Sequence, residues 1–132
     1  MATFAQKNRS PAGQALVEFA LLGTLLITLV LGIFDFGRAY YTQVQIKNAV
    51  GDAGYYAIQN PGNDTGTKNR ITQQLSGLNP AISSSNIAIT CSSGITKIRV
   101  DYQYHFVFSW LVPSAQVSLG DETYVPQINS CP

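Results

Sequence analysis

A chain of 132 residues has room for one small domain and a membrane helix, but not for two globular domains once that helix is set aside. Eight Lys and Arg against seven Asp and Glu leave no bulk electrostatic footprint for nucleic acid or an acidic substrate. Charged residues are only 11% of the chain, and Gly, Ser, Thr, Asn and Gln supply most of the polarity, a composition suited to secreted surfaces and subunit contacts.

Residues 1–12 contain Lys7 and Arg9, no acid, and Pro11, which is expected to break a helix. They read as a short basic leader. Residues 14–34 would span about 31 Å as a helix, which matches the hydrocarbon thickness of a bilayer, so one crossing is expected. Its mouth carries a lone carboxylate, Glu18, five positions after Gly13, and no charge follows from Phe19 to Phe34. Lys7 and Arg9 place the N-terminal flank in the cytoplasm and the bulk of the chain outside, although Arg38 beyond the other end weakens the asymmetry. A cleaved secretory signal is the competing reading. The long apolar core, Glu18 within it and the lack of a small-residue cleavage site after it argue against that reading.

The helical pattern continues past the apolar run to Ile58, giving one helix over residues 14–59. Projection at about 100° per residue puts Phe36, Ala39, Tyr40, Val44, Ile46, Val50, Tyr55, Ala57 and Ile58 on one broad face, with Asp35, Arg38, Thr42, Gln45 and Asp52 opposite. Asn60-Pro61-Gly62 ends the helix. A short polar helix is expected over residues 67–78, with Ile71, Leu75 and Leu78 on one side. The period then changes to two. Thr96, Ile98, Val100, Tyr102, Tyr104, Phe106 and Phe108 alternate with polar residues in a long half-buried strand. Ile87, Ile89 and Cys91 precede it across a hairpin turn at Ser92-Ser93-Gly94, and Gly120-Asp121-Glu122 suggests a second hairpin between Val117, Leu119 and Val125. Three or four antiparallel strands covered by the second half of the long helix make an α+β fold.

Cys91 and Cys131 are too far apart for a redox or zinc motif. In an oxidising compartment they are expected to pair, closing a loop of about 40 residues and stabilising the domain by roughly 3–4 kcal/mol. Two separate buried thiols are the alternative.

Glu18 is the sharpest chemical signal. A carboxylate in a membrane helix costs several kcal/mol unless it pairs, snorkels or protonates. Cleavage between Gly13 and Gln14 would create a positive amine at Gln14, and the amine of a neighbouring subunit would neutralise Glu18 in register. The bland reading puts Glu18 at the headgroup level, capping the helix dipole. Gly23, Gly32 and Gly37 read as ordinary small membrane-helix residues, and Asp35 with Arg38 as a solvated ion pair. Tyr40 and Tyr41 suit an interfacial belt, while Tyr55, Tyr56 and Trp110 are expected in the core. Asn63-Asp64-Thr65 is a sequon where glycosylation is physically possible. His105, the one histidine, is expected to face solvent without binding a metal, and no nucleophile, base and orienter grouping is present. No enzyme activity and no cofactor are expected.

Gly13-Gln14-Ala15-Leu16-Val17-Glu18-Phe19-Ala20-Leu21, Gly32-Ile33-Phe34-Asp35-Phe36-Gly37-Arg38-Ala39-Tyr40, Gln45-Ile46-Lys47-Asn48-Ala49 and Gly54-Tyr55-Tyr56-Ala57 together resemble the TadE-like family, pilin-like proteins of the tight adherence (Tad) branch of type IV pili. The resemblance implies processing by a membrane-embedded prepilin peptidase at Gly13 and Gln14, read through Glu18 and Phe19. It also implies a long helix that anchors the subunit before export and packs inside the filament afterwards. The expected division is a basic leader at 1–13, a long helix at 14–59 and an extracytoplasmic α+β head at 60–132. Its partners would be the membrane, other pilin subunits, the prepilin peptidase and the pilus assembly platform, with no nucleic acid. The alternative function is a single-pass, membrane-anchored binding or adhesion domain that does not polymerise.

Overall fold

A computed structural model describes residues 11–107 and 116–126. The leader residues Lys7 and Arg9, together with Phe108, Trp110 and Cys131, lie outside the described residues. The element order is helix α1 (Pro11–Gln59), helix α2 (Asp64–Gln74), a 3-10 turn (Ser84–Asn86), and strands β1 (Ile87–Ser92), β2 (Ile95–His105) and β3 (Gln116–Pro126). The long apolar helix and the small antiparallel sheet make the fold α+β, as the change of period from 3.6 to 2 predicts. The chain divides into two compact units, Met1–Phe36 and Gly37–Pro132.

In the first unit α1 begins at Pro11, three residues before the sequence-based start. Among the described residues Pro11 is helical and does not interrupt α1. The hydroxyls of this segment are satisfied within the helix: Thr24 Oγ1 donates to Ala20 O at 2.8 Å and Thr28 Oγ1 to Thr24 O at 2.9 Å. Asp35 is buried, contrary to its expected place on a solvated face.

In the second unit the three strands lie in the order β1-β2-β3, antiparallel throughout. The β1–β2 hairpin closes on Ser93 and Gly94, whose φ values of 53° and 75° are those of a two-residue type I′ turn. Strand β3 departs from the sequence expectation. Gly120-Asp121-Glu122 is no turn but the middle of an eleven-residue strand, paired with Asp101, Val100 and Arg99. Gly120 answers to close packing there, since a Cβ would lie 2.6 Å from Val100 O. The sheet has three strands among the described residues.

The core joins one stripe of α1 to the inner face of the sheet and to Ile71, Leu75 and Ile82. Ile46, Val50, Ile71, Leu75, Ile98 and Val100 are its largest fully buried side chains. The α1 stripe is Ala39, Thr42, Ile46, Ala49, Val50, Ala53, Gly54 and Ala57, which keeps Ala39, Ile46, Val50 and Ala57 of the projected face and replaces the rest. Phe36, Tyr40, Val44, Tyr55 and Ile58 are exposed, whereas Thr42, assigned to the polar side, is buried and donates to Arg38 O. The reason is size. Small residues let the helix backbone approach the strands closely, and a Cβ at Gly54 would already meet the Thr123 and Val125 methyls at 3.3 Å. Gln43 Nε2 ties the same helix to Gly120 O at 2.8 Å.

Helix α2 starts earlier and ends earlier than expected, because Asn63 caps it and Leu75 closes it. Asn63 Oδ1 accepts from Gly66 N at 2.9 Å, while Nδ2 donates to the Tyr56 hydroxyl at 3.1 Å. Tyr56 is half-buried at this corner, with the Arg70 guanidinium 5.2 Å from its ring centroid, and does not lie under the sheet. The sequon asparagine is thus a helix cap with both ends of its amide engaged. Asn63→Ala is expected to lower head stability by about 1 kcal/mol, measured by urea denaturation.

Candidate assembly interface

The first unit presents an apolar surface. From Leu16 to Phe36 the large side chains Leu, Val, Ile and Phe are 41–77% exposed, and Glu18 stands exposed among them. Gly13, Gln14 and Phe19 are exposed as well, so every side of the expected processing motif is accessible on this helix. An 18-residue window of mean hydropathy 2.4, none of it buried, makes this the one helix among the described residues long and apolar enough to cross a membrane. Gly23, Gly32 and Gly37 have open space where a Cβ would stand. Hydrocarbon or other helices would cover such a surface, since water does so at a cost of about 25 cal/mol per Å².

The outer face of the sheet is chemically different. Lys97 Nζ lies 2.7 Å from Glu122 Oε2, Tyr124 donates its hydroxyl to Glu122 Oε1 at 2.8 Å, and the Lys97 ammonium stands 5.2 Å from the Tyr124 ring centroid. Arg99 grips Asp101 through Nε and Nη2. The hydrogen bond to Glu122 raises the Lys97 pKa, and the same bond, followed by that from Tyr124, lowers Glu122. Asp101 likewise raises Arg99. These charges engage one another, and a shallow depression of about 350 Å³ lies between Arg99, Asp101, Ser118, Asp121 and Glu122. His105 faces solvent, as its alternation predicts. Behind the sheet, burial raises the Tyr102 pKa.

Cys91, near the end of edge strand β1, is exposed, and its Sγ accepts from Thr96 Oγ1 at 3.5 Å. Its expected partner Cys131 lies outside the described residues. Sequence reasoning missed the Asn63 cap and the close contact of Gly54. The signal for the cap was present as Asn63 immediately before Asp64.

Together these features define a class: an N-terminal helix of membrane-spanning length and apolarity, carrying one carboxylate near its start and continuing into a small α+β head. Residues 13–54 match the family model described as TadE-like protein, so the long helix of this chain is TadE-like, as the sequence motifs indicate. The match points to a Tad pilus-associated protein and covers most of α1 but none of the sheet. No curated protein and no solved structure was found to match the chain.

Proposed function

We propose that this protein is a non-catalytic, pilin-like subunit that assembles through its N-terminal helix into, or together with, a Tad or type IV-like pilus. The observation that carries the reading is the uninterrupted exposure of large apolar side chains from Leu16 to Phe36, within a segment that matches the TadE-like family. In the membrane, lipid covers this surface. In a filament, neighbouring helices replace the lipid, so the helix moves from one apolar surrounding to another without meeting water. Prepilin peptidase cuts between Gly13 and Gln14, with Glu18 and Phe19 as the rest of its recognition element. Glu18 then takes the new Gln14 amine of a neighbour as its counter-ion. The N-terminus starts in the cytoplasm, the head faces outward, and the assembly platform extracts the subunit.

Fractionation tests this reading. The subunit is expected in carbonate-washed membranes and in filaments sheared from the cell surface. A chain confined to membranes favours the non-polymerising anchored domain, and a chain in the soluble fraction contradicts both.

Cys91 and Cys131 form a disulfide in the exported head. Strand register aligns Ser92, Ile95 and Pro126 across the end of the sheet, so β3 ends two strands away from Cys91. Two strand spacings amount to about 10 Å. The five residues from 127 to 131 reach at most about 17 Å, which is sufficient. Cys91→Ser is expected to lower the stability of oxidised protein by about 3 kcal/mol in urea denaturation and to change the reduced protein little.

A further inference from the structure

The head-side half of α1 has two long faces. One packs in the head. On the opposite side Tyr41, Val44, Asn48, Gly51, Tyr55 and Ile58 follow one another at alternating steps of three and four residues. All six are exposed, Tyr41 by 64%, Val44 by 37%, Tyr55 by 72% and Ile58 by 41%. A spacing that averages 3.5 residues is the seam of a left-handed coiled coil, and six consecutive positions without a charge are what a partner helix requires.

The residues beside the seam identify the partner. Lys47 lies on one flank and Asp52 on the other, five positions later, which is the separation at which flanking charges meet across two parallel helices in register. Lys47 is exposed and has no ion pair among the described residues. Asp52 accepts from Gln74 Nε2 through Oδ2, leaving Oδ1 for an outside donor. The chain therefore carries both halves of the complementary pair. Within one helix, residues five apart do not face each other, so Lys47 and Asp52 meet only between chains. In an antiparallel pair each flank meets its own kind, and the match is lost. Asn48 on the seam faces its own copy in register, a polar pairing that fixes alignment. Gly51 fits as well. Glycine weakens a helix interior, no neighbour lies within 4 Å of where its Cβ would stand, and no intramolecular contact accounts for it.

We propose that residues 41–58 of α1 are a self-association seam, on which a second copy of this chain packs parallel and in register, with Lys47 of each copy against Asp52 of the other. The seam deepens the assembly reading above and rests on it in one respect: copies inserted in the membrane in the same direction run parallel.

Sedimentation of the full chain in detergent micelles tests the seam, with membrane partitioning and thermal melts recorded separately. The wild-type chain is expected to dimerise. Lys47→Glu and Asp52→Lys are each expected to weaken the dimer by about three- to tenfold through like charges at both flanks, with an unchanged melt for Lys47→Glu and a slightly lower one for Asp52→Lys, which loses the bond from Gln74 Nε2. Mixing the two variants restores association, because both pairs are then attractive, a result that a purely local effect on either helix does not produce. Gly51→Leu, which meets open space within the chain, is expected to weaken association at least as much. A monomeric wild type overturns the seam. So does a dimer indifferent to all three variants, which places the contact elsewhere. A chain that dimerises with this charge pattern but fails to enter membranes keeps the seam and contradicts the anchored-subunit reading.

Discussion

Replacing Glu18 by Gln is expected to leave the chain in the membrane and to reduce its recovery in sheared filaments at least tenfold. The substitution removes a charge from an otherwise uncharged run and so favours lipid. In the assembled state the balance reverses. On the proposed reading the Gln14 amine of the neighbouring subunit would then sit among apolar helices without its counter-ion, and an unpaired charge in such surroundings costs several kcal/mol. A loss of 1.4 kcal/mol per contact already accounts for about a tenfold effect. Quantitative immunoblotting of membrane and filament fractions reads both quantities. Normal filament recovery for Glu18→Gln would remove the counter-ion role and favour the solitary anchored domain.

The second large effect is expected in the head. Ile46 is fully buried between α1 and the rest of the core, so Ile46→Ala should cost about 2–4 kcal/mol, the lost transfer energy plus the cavity left behind. Tyr55→Ala on the same helix removes a larger side chain that is 72% exposed, and should change head stability by less than about 0.5 kcal/mol. Urea denaturation of the two variants ranks the faces directly. If Tyr55→Ala costs more than Ile46→Ala, the helix is seated on the aromatic face.

That pair also shows where the sequence was legible. The length of α1, the β1–β2 hairpin and the alternation in β2 could all be read, because each is written in a period that local chemistry enforces: 3.6 for the helix, a Ser-Gly turn, and 2 for the strand. The face of α1 was legible only in part. Ala39, Ile46, Val50 and Ala57 of the projected face are buried, but the projection also took in Phe36, Tyr40, Val44, Tyr55 and Ile58, which lie outside, and missed Ala49, Ala53 and Gly54, which close packing on the sheet selects. Gly120 misled for a related reason. A glycine beside acidic residues has turn composition, while the need it meets here is the approach of Val100 O from the neighbouring strand. In the candidate interface, the motif from Gly13 to Phe19 was legible as residues, since it is local. The charge pairs Lys97–Glu122 and Arg99–Asp101 depend on strand positions and side-chain geometry fixed by the fold.

The mass of the N-terminal peptide of this chain, taken from filaments sheared off the cell surface, bears most directly on helix-driven assembly. A peptide beginning at Gln14 in that fraction is the predicted result. A chain absent from the filaments and found in membranes with Met1 intact would contradict it.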